Sequence, residues 1–303
     1  MAEEKIFNPK LRHDFVLLFD VKDGNPNGDP DAGNLPRVDP ETMHGLVTDV
    51  CLKRKIRDFV DLKKGKQEGY RIYVQNKGVA LNTLHQEAYT GTGMKSTGTK
   101  QVRADVEKAK DWMCKNFYDI RIFGAVMTTG VNCGQVRGPV QFTFSRSIDP
   151  INPMEASITR VAITKEEDAK VVEVEGEERA RGKVTEMGRK PFVPYGLYKA
   201  QGFFSPQLAA ATGISSDDLK VFWEAVEKMW EMDRSASRGM MAGRGIFVFT
   251  HENQFGDAPA HKLFDLLQVE RKPECKTPRA FTDYAVKLNE KDMPKGVSLT
   301  RLG

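Results

Sequence analysis

The stretch FVLLFDVKDGNPNGDP, from Phe15 to Pro30, decides the fold. Its first five residues, Phe15 to Phe19, are continuously apolar, which is typical of a strand that is buried on both faces and therefore central in a sheet. Glycines and prolines then recur from Asp23 to Pro36 and predict a long loop. A helix is expected next, with Asp39 as its N-cap, Pro40 at its first position and periodic apolar residues to about Phe59.

The two faces of this predicted helix differ in character. An apolar stripe at helical spacing predicts the buried face: Leu52, Ile56 and Phe59. Lys53, Arg54 and Arg57 are expected on the opposite, exposed face. Clustered cations on a rigid helix beside a Gly-rich loop suit a nucleic-acid phosphate backbone. An ordinary solvated helix surface is the alternative interpretation.

The rest of the chain continues in alternating elements. Residues 64 to about 110 are polar and rich in small residues, which favours an inserted, partly mobile lobe. The later predicted elements are strands at Ile120–Met127, Val140–Ile148, Pro194–Phe204 and Ile246–Thr250, and a helix that Ser215 or Ser216 caps. The order strand, helix, strand, strand, helix, strand, with one extra strand, predicts an α+β, ferredoxin-like fold, the plan of RNA-recognition domains.

Charge is unevenly distributed. Between residues 166 and 178 there are seven acidic residues against one basic, and between 179 and 190 five basic against one acidic, which predicts a surface arm. Asp233 to Gly245 places Arg234, Arg238 and Arg244 among Ser and Gly just before the last predicted strand. Arginines there could bind phosphates, and Met240 with Met241 could press on unstacked bases. A connecting loop with incidental arginines explains the pattern equally well.

Arg137, in a Gly-bounded turn, and Arg189 with Lys190 extend the basic theme. The net charge of +4 and a pI near 8.7 permit a nucleic-acid partner without requiring one.

Neither a signal peptide nor a membrane-spanning stretch is expected, so the predicted location is cytoplasmic. The four cysteines and five histidines lack metal-ligand spacing, and no cofactor is expected. Residues 93 to 100 nearly match a phosphate-binding loop, but Thr99 replaces its lysine.

Aspartates in the first loop are the one candidate for catalysis. These residues, Asp23, Asp29, Asp31 and Asp39, could hold a metal or activate an RNA hydroxyl, which would make the protein a metal-dependent endoribonuclease. Aspartate beside Gly and Pro is also what turns use, and this structural interpretation is favoured. A third hypothesis is a scaffold that binds only protein through its basic helix.

Four stretches of the sequence resemble one known family. They are FVLLFDVKDGNPNGDP (Phe15–Pro30), LPRVDPETMHGLVTDVCLKRKIRD (Leu35–Asp58), FGAVM (Phe123–Met127) and DRSASRGMMAGRGIFVF (Asp233–Phe249). Together they resemble the backbone subunits of CRISPR Cascade complexes, the Cas-seven family, and specifically its type I-C or Csd-two branch. The resemblance covers nearly the whole chain.

This resemblance implies a right-hand shape. Its palm would comprise residues 1–63, 119–150 and 194–303, with an inserted finger lobe at 64–118 and a thumb arm at 151–193. Copies would stack head to tail in a helical filament along guide RNA (crRNA), which pairs with target DNA in antiviral defence. Further partners would be an RNA-processing end subunit, a large subunit and a small subunit, and no membrane. A separate helicase-nuclease cuts in that branch, so the resemblance implies no enzyme here, although the related type III subunit resembles a ribonuclease.

The resemblance also assigns RNA contacts to individual residues. Asn25 and Asn27 in the first loop, Lys53 and Arg57 on the helix, and Arg234 and Arg238 near the end match the family stretches. Arg37, within the second stretch, is a further candidate. Met187 on the thumb is the expected wedge that kinks the RNA.

Overall fold

A computed structural model describes residues 2–75, 77–98, 100–162, 172–174, 177–179 and 186–303. Its helices are α1 (Ala2–Lys5), α2 (Asp49–Lys64), α3 (Leu81–Gly91), α4 (Arg103–Asn116), α5 (Tyr118–Phe123), α6 (Pro206–Thr212), α7 (Ser216–Met232) and α8 (Ala260–Asp265). Its strands are β1 (His13–Gly24), β2 (Gly28–Asp29), β3 (Leu35–Pro36), β4 (His44–Val47), β5 (Gly124–Val126), β6 (Gln135–Arg137), β7 (Val140–Phe142), β8 (Ser145–Pro150), β9 (Met154–Arg160), β10 (Val172–Val174), β11 (Glu177–Arg179), β12 (Glu186–Phe204), β13 (Met240–His251), β14 (Leu267–Arg271), β15 (Tyr284–Leu288) and β16 (Val297–Leu302).

An antiparallel sheet in the order β16-β13-β1-β12-β8-β4 organises the molecule. Strand β1 pairs with β12 on one side and β13 on the other, and its residues 13 to 21 are all buried. The prediction that Phe15 to Phe19 form a central strand is therefore confirmed. The sheet has a His13 end, where β1 begins opposite Phe204 and Thr250, and a Gly24 end, where β1 finishes beside the first loop.

One face of the sheet is covered by α2 and α7. The sequence offered Ser215 or Ser216 as the N-cap of α7, and the structure shows Ser215, which forms a reciprocal capping box with Asp218. The apolar face of α7 packs into the main core together with alternate β1 residues Phe15, Leu17 and Phe19. Such two-layer packing buries both the sheet face and the helix stripes.

The start of α2 corrects the sequence prediction. Thr48, not Asp39, is the N-cap, because its side chain accepts a hydrogen bond from the Cys51 amide. Asp39 instead stands at a turn: its amide donates to the His44 carbonyl, and residues 44–47 form β4 before the helix begins. The predicted stripe of Leu52, Ile56 and Phe59 is nevertheless buried.

Two predicted strands are also corrected. Residues 120–127 form the end of α5 and the short β5, because Gly124 at φ 81° ends the helix and Arg121 is held inside it. The guanidinium of Arg121 bonds both carboxylate oxygens of Asp218 and the carbonyls of Gly69 and Cys114. The segment 140–148 is split into β7 and β8, with Phe144 exposed at the break.

A second apolar core lies outside the sheet. It contains buried residues from α3, α4 and the segments around them, between Tyr73 and Cys133. The 19-residue β12 belongs to the sheet through Phe204, while its first part pairs with β9 as a projecting hairpin. The charge reversal predicted for residues 166 to 190 falls largely outside the described residues.

The second face of the sheet is covered by the C-terminal residues. Val16 and Leu18 of β1 pack with Leu263, Phe264 and Leu267, and β16 extends the sheet beside β13. The predicted strand Ile246–Thr250 therefore lies within β13 and is not the last strand. Within the described ranges, no helix has both the length and the apolar character needed to cross a membrane.

Candidate nucleic-acid interface

Three sequence-predicted segments meet at the Gly24 end of the sheet: the first loop, α2 and the loop 233–239. The Asn25 amide donates to the Ser237 carbonyl at 2.7 Å, and the Arg238 guanidinium donates to the carbonyls of Asn25 and Pro26 at 3.0 and 3.3 Å. A Cβ on Gly24 would lie 2.0 Å from the Arg238 carbonyl oxygen, so only glycine allows this approach.

Asp233 lies at the centre of this junction and gathers three cations. Its carboxylate contacts Arg54 Nη2 at 2.9 Å, Arg238 Nε at 3.3 Å and the Lys55 ammonium. Arg54 stays 44% exposed, whereas the Lys55 side chain is fully buried over the Trp230 ring. Burial lowers the pKa of Lys55 to about 7. We call Arg54, Lys55, Asp233 and Arg238 the Asp233 cluster.

The predicted exposed face of three cations on α2 is wrong in its geometry. Lys53 is only 12% exposed and donates to Asp49 and Gln141, both at 3.1 Å. Arg57 is 11% exposed, and its Nε donates to Asp119 at 2.8 Å. Asp119 also accepts the amides of residues 73 and 74, so Arg57 neutralises a buried carboxylate that organises the chain. Only Arg54 of the three presents its charge to solvent, and RNA contact by the others stays a prediction.

The first-loop candidates make contacts within the protein, and RNA contact by them stays a prediction. Asn25 is buried and donates from its amide nitrogen to the Asn34 carbonyl at 2.7 Å, while its Oδ1 has no hydrogen-bond partner among the described atoms. Asn27 accepts from both the amide and hydroxyl of Thr48 at 3.0 Å, which ties the loop to the start of α2. Arg37 lies 3.4 Å from Asp29 and is partly exposed.

The predicted site residues after Asp233 lie in two different places. Arg234 donates to the Met241 carbonyl at 3.2 Å and pairs with Glu231, so it lies beside the Asp233 cluster. Met240 is half exposed, as a base-contacting group requires, and Met241 is buried. Arg244 contacts Asp20 at 2.9 Å and stacks over Phe281, which separates it from that cluster.

The remaining candidates lie elsewhere. Arg137 is exposed on β6 near the His13 end. Arg189 and Met187 are strongly exposed on the β9–β12 hairpin, where Arg189 approaches Glu155 at 3.6 Å. The structure thus brings Asn25, Arg54, Arg234 and Arg238 together and leaves Arg137, Arg189, Met187 and Arg244 outside.

Two of the first-loop aspartates, Asp29 and Asp39, make local side-chain contacts. Asp29 accepts from the Asp31 amide, and Asp39 accepts from Arg146 at 2.8 Å. The Arg146 hydrogen bond holds the pKa of Asp39 below its ordinary value. The described residues contain no group of three His, Cys, Asp or Glu side chains that could hold a metal ion.

The family model for CRISPR-associated protein Cas7 matches residues 11–289. The chain belongs to the Cas7 family. The CRISPR-associated protein Cas7 of Haloferax volcanii is 26% identical over 289 residues, which cover 85% of this chain and 75% of the relative. The type I-C branch is a finer assignment than this family match provides.

Solved structures resemble this Cas7-family chain more distantly. A chain of a CRISPR RNA-guided surveillance complex, pre-nicking, is 13% identical with a TM-score of 0.49, covering 82% of this chain and 79% of that one. A chain of the type III-B Cmr-beta complex bound to cognate target RNA is 11% identical with a TM-score of 0.42, covering 82% and 64%. Both TM-scores lie below 0.5.

Sequence reasoning missed two members of the cluster in this Cas7-family chain. Lys55 follows Leu52 by three residues and precedes Phe59 by four, so a lysine on the buried stripe was a visible signal. Asp233 gave no such signal, because it follows α7 in sequence and meets α2 only through the fold.

Proposed function

We propose that this protein is the non-catalytic backbone subunit of a type I-C CRISPR Cascade complex. It binds the phosphate backbone of guide RNA without sequence specificity and presents the guide for pairing with target DNA. Copies assemble head to tail beside the end, large and small subunits in the cytoplasm. Membership of the Cas7 family and the four type I-C-like stretches support this proposal.

The Asp233 cluster is the observation that carries the proposal. Arg54, Lys55 and Arg238 meet Asp233 at this node, the junction of three segments, and Arg54 also pairs with Asp58. Fixed cations beside loop backbone recognise phosphates, which every nucleotide carries, and not base identity. Arg54 and Arg234 lie at the solvent side of this node and are the groups best placed to contact RNA.

The strand order of the main sheet supports the proposal that this part of the chain forms the palm. Strands β8-β12-β1-β13, with α2 and α7 on one face, follow the ferredoxin-like plan, in which the second strand lies outermost and the first is central. The finger would be the lobe at 64–118 and the thumb the arm at 151–193, with Met187 as wedge. Because C-terminal residues cover the second face, RNA would follow the Gly24 end of the sheet and not its flat surface.

Charge removal at the exposed members tests this function. The double variant Arg54→Gln, Arg234→Gln should lose guide-length RNA affinity about tenfold or more, because a charge-assisted hydrogen bond contributes about 1.5 to 3 kcal/mol. The slope of log affinity against log salt should also become shallower, by about 0.7 per lost phosphate contact. Fluorescence anisotropy at several salt concentrations measures both quantities.

The matched control removes the same charge elsewhere. Lys291→Gln, Lys295→Gln changes two exposed lysines of the C-terminal segment and should leave affinity and slope nearly unchanged. Equal losses of RNA affinity in both double variants would mean that RNA is held by general charge attraction and not by this site. Urea unfolding of each variant shows whether folding is intact.

The endoribonuclease hypothesis makes a separate prediction. Wild-type protein incubated with end-labelled RNA, with and without Mg²⁺ or Mn²⁺, should yield no metal-dependent fragments. Fragments that vanish in Asp29→Asn or Asp31→Asn would replace the non-catalytic proposal with the enzymatic one.

A further inference from the structure

A cleft lined by both polar and apolar side chains lies at the His13 end of the sheet, far from the Asp233 cluster. Strand β1 spans twelve residues between the two ends, or roughly 35 Å. The cleft has a volume of about 320 Å³, and its lining includes Arg12, Arg137, Gln207, Gln254 and Phe255. This volume lies at the lower end of the range of small-ligand sites.

Arg12 is fixed at the edge of this cleft by a buried carboxylate. Its Nη2 lies 3.0 Å from Asp14 Oδ2, and Asp14, only 1% exposed, is also bound by His251 Nε2 at 3.0 Å. The Nη1 of Arg12 donates to the Phe255 carbonyl at 3.0 Å. Gly256, at φ 99°, allows this contact, since a Cβ there would lie 2.6 Å from Nη1. The negative charge of Asp14 is thus neutralised by Arg12 below the surface.

The loop that carries Phe255 is held at several points. The Phe255 amide donates to Asn253 Oδ1 at 2.9 Å, the Asn253 amide donates to Asp257 Oδ2 at 2.9 Å, and the Asp257 amide donates to His251 Nδ1 at 2.8 Å. Phe255 itself remains 72% exposed. A single exposed apolar side chain is ordinary on a protein surface, but here a braced loop holds the ring in the lining of a cleft that also contains Arg12 and Arg137.

The chemistry around the ring suits a nucleotide. Arg137 is exposed, and the described residues provide no hydrogen-bond or ion-pair partner for its guanidinium, although its backbone pairs with Gly124. An aromatic face beside guanidinium groups is the arrangement that stacks unpaired bases and binds their phosphates. A protein partner would require a larger apolar patch than this cleft offers, since five arginine and glutamine side chains interrupt its Phe, Pro and Leu lining.

We propose that this cleft binds one nucleotide of a single-stranded nucleic acid, with its base stacked on Phe255 and its phosphate held by Arg137. This inference deepens the proposed function, on which it rests, by adding a base contact to a chain whose other contacts are to phosphates. A guide RNA base and a target DNA base share this chemistry, so both are compared in the test.

The test measures binding of the full-length protein to four probes of equal length. They are mixed-sequence single-stranded RNA, the matching single-stranded DNA, an abasic DNA strand and long-chain inorganic polyphosphate. Phe255→Ala should weaken binding of the RNA strand, the matching DNA strand or both by about 5- to 150-fold, the range for one stacked base, and leave the two base-free probes unaffected. Phe255→Trp should retain or strengthen binding. Arg137→Gln should weaken all four.

Phe144→Ala, which removes another exposed phenylalanine, is the matched control and should change none of these affinities. The inference is overturned if Phe255→Ala leaves both base-containing probes unaffected, or weakens the base-free probes equally. Failure of the proposed function is distinct: wild-type protein would then bind no RNA, or RNA binding would ignore the change at Arg54 and Arg234. Loss of self-association without loss of nucleotide binding in Phe255→Ala would assign the ring to a protein contact instead.

Discussion

His13 is a fully buried histidine at the start of β1, and it makes the fold sensitive to acid. Its Nε2 lies 3.2 Å from the Asn8 carbonyl and its Nδ1 3.0 Å from the Thr250 hydroxyl, so the ring donates through Nε2 and accepts through Nδ1. Desolvation lowers the pKa of His13 from 6.5 to about 4. The unfolded chain therefore takes up a proton at a higher pH than the folded chain does.

The sign of the pH dependence follows directly. Stability from the neutral ring is present above the unfolded pKa of 6.5 and is lost as pH falls toward 4. We expect the free energy of unfolding to fall by about 2 kcal/mol between pH ~7 and pH ~5 on account of this residue. Urea unfolding at both pH values measures it, and His13→Gln should show a correspondingly smaller fall.

His261 provides the control, because its side chain is exposed. His261→Gln should keep the full acid sensitivity of the wild type. If His13→Gln keeps it too, the acid sensitivity originates elsewhere.

Two arginines of α2 show how much a sequence pattern predicts about a single residue. Arg54 and Arg57 look alike on a helical projection, yet one is exposed beside Asp233 and the other neutralises Asp119, which lies 62 residues away. Periodicity places a residue on a face, but it does not identify a distant carboxylate that draws the side chain inward. The candidate residues near Asp233 were therefore predicted in part, and their partners were not.

At the scale of elements, the start of α2 is set by Thr48. Its hydroxyl both accepts from the Cys51 amide and donates to Asn27 Oδ1 at 3.0 Å, so it caps the helix and fastens the first loop. Thr48→Ala should reduce the free energy of unfolding by about 1 kcal/mol, the usual effect of losing an N-cap. Chemical unfolding monitored by circular dichroism measures this change.

Asp39→Ala is the comparison that separates the predicted cap from the observed one. Asp39 pairs with the exposed Arg146 at a surface turn, so its removal should cost less than that of Thr48. The opposite ranking would show that the helix begins near Asp39, as the sequence pattern indicates.

Elements with strong local signals were predicted well, and elements fixed by distant contacts were not. The apolar run of β1 and the Ser215 cap of α7 are local, and both are confirmed. The α5 helix contains the apolar, β-branched pattern of a strand around Ile120 and Ile122. It is helical because Arg121 reaches Asp218 at the start of α7, a contact that no local pattern encodes.

For the whole molecule, coverage of both sheet faces restricts where a ligand can bind. An open sheet face is where RNA-recognition domains stack bases. Here α8, β14 and β15 pack over that face, so exposed candidate groups lie at the two ends of the sheet. The sequence analysis predicted no strand after Thr250, because β14 to β16 are short and only partly buried.

Phe264 tests whether this C-terminal cover is integral to the fold. Its side chain is buried, and its ring packs edge-on to Phe203 at 5.7 Å. Phe264→Ala should reduce the free energy of unfolding by about 3 to 5 kcal/mol, because it leaves a cavity between the cover and the sheet. Phe144→Ala, at an exposed position, should cost far less. A small loss in Phe264→Ala, with new dye binding to exposed apolar surface, would instead mean that the cover detaches, which would free the sheet face for nucleic acid.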